Sequence, residues 1–133
     1  MEFNLMSPNM YNGLSLAYIG DAIYELYIRK YALSRKGTKV KQLHNLVTKF
    51  TSAKAQANAV HYLLNNEVLT EEEINIFKRG RNSHVNTSRK NVELATYLDA
   101  TGFEALMGYL YLGNQMERLN ELISIIISID EEV

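Results

Sequence analysis

The sequence predicts an all-α domain. Apolar residues recur at intervals of three and four through each long segment, and no stretch alternates apolar and polar as a half-buried strand would. Helix start and stop residues fall between the periodic segments. One proline and seven glycines in 133 residues leave little chain for linkers, and no internal repeat is visible. The expected organisation is a single domain over residues 1–133, long enough to bury a core.

The first helix is expected over about Tyr11–Ser34. Its stripe is Leu14, Ala17, Tyr18, Asp21, Glu25 and Ile28, and Lys36–Gly37 is its stop. A second covers about Lys39–Phe50, with Val40, Leu43, Leu46, Val47 and Phe50 on one face. Thr51 or Ser52 can cap a third, Ala53–Asn65, whose inward residues are Ala53, Ala57, Val60 and Leu64 and whose alanines allow close helix approach. Asn65–Asn66 breaks it. Thr70-Glu-Glu-Glu73 has the spacing of a capping box, followed by a short helix to about Arg79 with its acids at the favourable end of the dipole. Gly80–Lys90, GRNSHVNTSRK, reads as a polar, basic loop. Asn91 is positioned to cap a helix through about Leu112, with Val92, Leu94, Ala95, Leu98, Phe103 and Leu106 as its core side and Gly113–Asn114 as its stop. The last helix, about Gln115–Ile129, turns Met116, Leu119, Leu122, Ile123, Ile126 and Ile127 inward and leaves Glu117, Arg118 and Glu121 outside. Its ISIIISI run could form a strand, but helical continuity from Gln115 favours helix.

Composition narrows the function. There is no cysteine, hence no disulfide framework and no thiolate metal site. The first residues lack a basic stretch followed by a long apolar run, and Leu122–Ile129 is far too short to span a bilayer, so a cytoplasmic location and no membrane partner are expected. Net charge is −1, yet thirteen of the fourteen Lys and Arg lie between Arg29 and Lys90 against four acids, a local excess of +9. Such asymmetry points to a polyanion on one face, with solvated lysine-bearing faces as the ordinary alternative. The histidines are weak candidates: His44 and His61 lack a second ligand at usable spacing.

Two stretches carry the chemistry. In Leu14–Arg29, LSLAYIGDAIYELYIR, Gly20–Asp21 interrupts an apolar, aromatic helix, and burying an aspartate among Ile19, Ala22 and Ile23 is costly unless it is paired or bound to a cation. In Thr101–Leu112, TGFEALMGYLYL, Glu104 is set among apolar residues with Gly108 one turn later on the same face. Glycine lets a second backbone come close. Two such helices suggest a close crossing with two facing acids, which cannot both stay ionised at short range without a cation. A hard divalent ion with oxygen ligands would hold them, Mg²⁺ being the default. The alternatives are a shared proton, or two acids on separate surfaces.

IGDAIYEL followed far downstream by GFEALMGYLYL resembles the catalytic domain of the ribonuclease III family, and most closely its single-domain mini branch. The resemblance spans roughly Tyr11 to Leu112, two spaced motifs in the right order. It implies the helical ribonuclease III endonuclease fold and a Mg²⁺-dependent endoribonuclease acting on double-stranded RNA, with Mn²⁺ as a possible substitute. Asp21 and Glu104 match the family's metal-holding aspartate and glutamate, and so are the implied catalytic and metal residues. Leu14, Ala17 and Thr101 stand where further family acids are usual, and Glu25 and Asp99 are nearby acids that could compensate from a second layer. The mini branch further implies maturation of the precursor of large-subunit (23S) ribosomal RNA, and a homodimer. Tyr24, Tyr27 and Tyr31, more aromatics than one inward stripe needs, agree with such a subunit contact.

The larger family enzymes carry a separate double-stranded RNA-binding domain, for which there is no room after the last helix, so RNA would be held by the catalytic domain itself. The candidates are Lys78, Arg79, Arg81, Asn82, His84, Arg89 and Lys90, with Gly80 for flexibility, as contacts to phosphates and 2′-hydroxyls of a duplex. The rival reading is a non-catalytic RNA-binding or ribosome-associated module on the same fold: the retained Asp21 and Glu104 oppose it, and the missing acids favour it.

Overall fold

The computed structural model describes residues 1–83 and 91–131, with the backbone alone at Lys36, Asn91 and Val92. After a short 3-10 turn at Pro8–Met10 come six helices: α1 (Gly13–Lys36), α2 (Val40–Thr51), α3 (Ala53–Asn65), α4 (Glu71–Arg81), α5 (Asn91–Leu112) and α6 (Met116–Glu131). Among the described residues there is no strand, as the periodicity predicts. No described helix is long and apolar enough to cross a membrane.

The caps follow the chemistry of their residues. Asn12 accepts the Ser15 amide at the start of α1, and Gly37 ends that helix with φ of +75°, which costs glycine nothing. Ser52 accepts from the Ala55 amide to open α3. Thr70 and Glu73 form the reciprocal capping box of α4. Glu73 is buried, and Arg118 of α6 donates to both of its oxygens at 2.8 Å and to the Val68 carbonyl at 2.6 Å. Arg118, expected outside, thus pins α6 to α4.

α5 is the central helix: it packs against α1, α3, α4 and α6. Phe103, Ala105, Leu106, Met107, Tyr109 and Leu110 are buried nearly all round it, which is how an apolar helix is satisfied in a small bundle. The α1 stripe differs from the sequence expectation. Leu16, Ala17, Tyr24, Ile28 and Ala32 face the core, whereas Leu14 and Tyr18 are exposed. The cause is the glycine at position 20. The approach of α1 to α5 is set by backbone contact, which brings Leu16, Gly20 and Tyr24 to the interface and turns Tyr18 out.

That contact is unusually close. A Cβ on Gly20 would overlap the carbonyl of Glu104, and one on Gly108 would overlap the carbonyl of Leu16. Position 20 meets 104 and position 16 meets 108, so the two helices cross antiparallel. Gly80 repeats the device: α4 continues through it to Arg81, and its Cα side meets Gly102, the Thr101 carbonyl and Ala105 of α5. The glycine expected to loosen a loop is a buried packing position, which is why α4 outruns its predicted end.

Gly20→Ala and Gly108→Ala each place a methyl group on a backbone carbonyl that cannot rotate away. Each is expected to destabilise the fold by at least about 2 kcal/mol despite alanine's better helix propensity. Thermal unfolding measures this, and a loss below about 0.5 kcal/mol would contradict the close crossing.

Candidate active site

The crossing brings Asp21 and Glu104 together. Gly20 precedes Asp21 on α1 and touches the Glu104 backbone on α5, so the two side chains leave the contact toward the same opening. Asp21 is exposed at the mouth and Glu104 is half-buried behind it. Burial first, then the hydrogen bond and negative charge of Asp21, push the Glu104 carboxyl up to about 8. One influence runs the other way: the side-chain amide of Gln56, on α3, favours the Glu104 anion. The Gln56 nitrogen is buried and closes no hydrogen bond of good geometry, so it lies near Glu104 without being spent on another partner.

The acids line a cavity of about 470 Å³ together with Leu14, Ala17, Tyr18, Tyr97 and Thr101. The three positions where the resemblance predicts further acids, Leu14, Ala17 and Thr101, therefore surround the same cavity, with neutral side chains. Thr101 donates to the Tyr97 carbonyl at 2.9 Å.

The two acids expected in a second layer are placed elsewhere. Glu25 pairs with Arg29 at 2.8 Å, one turn further along α1. Asp99, five residues before Glu104, is rotated off the cavity and buried between His61 Nε2 at 2.7 Å and Arg81 Nε at 2.8 Å. Neither belongs to the cavity lining.

The basic stretch is divided in the same way. Arg79 is half-buried and donates to the carbonyls of Asn9, at 3.4 Å, and Tyr11. Arg81 holds Asp99. These two cations sit on a helix and are committed to internal partners, not to a loop facing solvent. Lys78 and Asn82 are exposed. His84, Arg89 and Lys90 lie outside the described residues.

Gln56 was not singled out from the sequence. Its only signal was position: a polar side chain next to Ala57 and four before Val60, on the inward side of an alanine-rich helix. Among the described residues no group of three or more His, Cys, Asp or Glu is placed to hold a metal ion. The donor set is two facing carboxyls with neutral oxygens nearby, one carboxyl driven to keep a proton that a cation could replace. That set fits a hard divalent ion that retains most of its waters.

A helical domain in which two acids meet across a glycine crossing presents the oxygen ligands that a hard divalent ion takes. Residues 14–115 match the sequence profile of the ribonuclease III domain. The mini-ribonuclease 3 of Enterococcus faecalis is 56% identical over 113 residues, 85% of this chain and 86% of that protein. The mini-ribonuclease 3 of Streptococcus pneumoniae is 46% identical over 120 residues, covering 90% and 94%. A crystal structure of a Fusobacterium nucleatum protein aligns over 95% of this chain and 99% of its own with a TM-score of 0.81 at 34% identity. The chain belongs to the ribonuclease III family, in its mini-ribonuclease III branch, and is an endoribonuclease.

The folded state holds the Glu104 proton more tightly than the unfolded chain, where the carboxyl has its ordinary value of 4.5. That proton stabilises the fold fully below about pH 4.5, and its contribution is lost as pH rises through about 8. In chelator, wild-type stability should therefore fall over this range by up to a few kcal/mol relative to Glu104→Gln, whose glutamine needs no proton. Parallel denaturation midpoints against pH for the two proteins would refute the raised proton affinity of Glu104.

Proposed function

We propose that this chain is a divalent-cation-dependent endoribonuclease that cuts double-stranded RNA, with Asp21 and Glu104 as the residues that hold Mg²⁺, or Mn²⁺ in its place. The observation that carries the reading is the facing of these two acids across the α1–α5 crossing, with Glu104 pushed up to about 8. When bound, the cation supplies Lewis-acid stabilisation of the charge that builds on the phosphate and makes water a better nucleophile near neutral pH. The chain's own residues do the rest. Asp21, exposed at the mouth, meets the scissile phosphate region first. Glu104 gives up its proton on loading, and the Gln56 amide favours that anion. Tyr97, Leu14 and Tyr18 wall the cavity.

Membership of the mini branch supports the precursor of large-subunit ribosomal RNA as the substrate we assign. The neutral side chains of Leu14, Ala17 and Thr101 around the cavity are what a non-catalytic RNA-binding module would have. Cleavage of end-labelled duplex RNA with and without Mg²⁺ separates the two readings. Asp21→Asn and Glu104→Gln should each reduce cleavage to background while leaving duplex binding nearly unchanged, because shape is conserved and only the charge that holds the cation is removed. Near wild-type turnover of either variant in Mg²⁺ would sink the assignment.

The proposal includes a homodimer formed through α1, though not through the tyrosines expected from sequence. Tyr24 is fully buried, and Tyr27 and Tyr31 pack against the core. The surplus apolar groups are instead Leu14 at 40% exposed, Tyr18 at 84%, Leu26 at 53% and Leu33 at 56%, separated by four, eight and seven residues along the helix. Light scattering at micromolar concentration should report a dimer, and Tyr18→Asp with Leu26→Asp should give a folded monomer. A wild-type monomer would end this part of the proposal.

A further inference from the structure

The cavity holding Asp21 and Glu104 does not end at Tyr97. On the other side of this residue lies a second concavity of about 620 Å³ between α3 and α5, lined by Lys54, Asn58 and His61 with Glu93, Thr96 and Tyr97. Lys54 and Asn58 also wall a third, of about 480 Å³, at the junction of α2, α3 and α6, where Lys49, Ser52, Tyr62 and Asp130 join them. The shared residues set the three concavities in sequence, from the acid pair past Tyr97 and across the outer face of α3. Lys54, Asn58 and His61 are spaced by four and three residues, so they lie on one face of the helix and extend along it for about 10 Å.

The charges along this path are available. No ion pair is formed by Lys49 or Lys54 among the described residues, in contrast to Arg79, which donates to backbone carbonyls, and Arg81, which is half-exposed but paired with Asp99. Ser52 opens α3 at the same place, adding the partial positive charge of a helix N-terminus. His61 is half-exposed, and its Nε2 lies 2.7 Å from the Asp99 carboxyl. That contact takes up Nε2 and leaves Nδ1 for a sugar hydroxyl, which can both donate and accept. Arg81, bound to the other oxygen of Asp99, fixes this arrangement. Cations for phosphates, an amide and a ring nitrogen for 2′-hydroxyls, and a neutral wall at Tyr97 are the groups that follow an RNA strand by shape.

We propose that the RNA strand leaving the Asp21–Glu104 cavity runs over the outer face of α3, its phosphates held by Lys54 and Lys49 and its sugar hydroxyls met by Asn58 and His61. This rests on the reading of the chain as a nuclease for duplex RNA. It moves the main phosphate contacts from the end of α4 to the α2–α3 corner.

The test is binding of a labelled RNA duplex in chelator, by anisotropy, across a range of KCl concentrations. Compared are wild type, Lys49→Ala with Lys54→Ala, and a control of equal charge change, Lys39→Ala with Lys41→Ala. These four lysines are exposed, and circular dichroism confirms folding of both variants. The Lys49/Lys54 variant should bind about tenfold more weakly at low salt, and its slope of log affinity against log salt should flatten by up to about two units, using the duplex value of about 0.9 per phosphate. In Mg²⁺ its KM for cleavage should rise while kcat at saturating RNA holds. The control should keep the wild-type affinity and slope. Unchanged binding in the Lys49/Lys54 variant, or equal losses in the control, overturns the path over α3 while leaving the nuclease reading intact. A wild-type protein that neither binds nor cuts duplex RNA overturns both.

Discussion

Everything that concerns the site depends on two helix backbones being in contact. Gly20 and Gly108 remove the side chains that would otherwise hold α1 and α5 a normal packing distance apart. Each glycine costs about 1 kcal/mol of helix propensity. The return is geometric: the residues flanking the contact, Asp21 on one helix and Glu104 on the other, face each other at a separation their side chains can bridge. A wider crossing would let water between the carboxyls, and Glu104 would lose the hydrogen bond and much of the repulsion that alter its proton affinity. The same contact turns Leu16 and Tyr24 into the core and Leu14 and Tyr18 out. One pair of glycines thus sets the acid pair, the orientation of the core stripe and the apolar surface left over for a partner.

Two carboxylates in this fold start from similar positions and end in opposite states. Glu73 is buried, which alone would raise its pKa, but Arg118 and the Thr70 cap supply more than burial removes, and the carboxyl is held below the ordinary range. Glu104 has no cation beside it, and its burial first, then the acid it meets, push it up to about 8. The first is a strut, with its charge neutralised and its hydrogen bonds complete. The second is held in a state that a cation would relieve. A perturbed acid with a like-charged neighbour at the wall of a cavity is the arrangement associated with function, and a perturbed acid with a bidentate arginine inside the core is the arrangement associated with structure.

The fold and the acid pair were legible in the sequence because they depend on local signals. Helical periodicity, the Thr70–Glu73 box and the Gly37 stop are each written within a few residues, and Gly20–Asp21 and Glu104…Gly108 are anomalies within their own helices. What escaped depends on where elements meet. Gln56 is an ordinary helix residue until α3 is laid beside Glu104. Arg118 looks like an exposed cation until α6 is docked on α4. Gly80 carries the composition of a loop, and only the approach of α5 makes it a helix residue. The α1 stripe failed for the same reason. Periodicity counts apolar side chains, and here the buried face was chosen by a residue that has none.

The basic window illustrates the limit of composition most clearly. A net +9 over Arg29–Lys90 counts cations without asking what each one faces. In the fold, Arg79 is spent on backbone carbonyls near the N-terminus and Arg81 on Asp99, so the densest cluster in the sequence contributes less field to solvent than its count implies. Lys49 and Lys54 are sparse in sequence but come to one corner, beside a helix N-terminus and without carboxylate partners among the described residues. A polyanion responds to charge that is exposed and unneutralised. The surface that follows from that rule is the α2–α3 corner, continuous through Tyr97 with the two acids. Of the arginines of α4, Arg81 acts one step removed, through Asp99 to His61 of α3, and Arg79 ties α4 to the segment before α1.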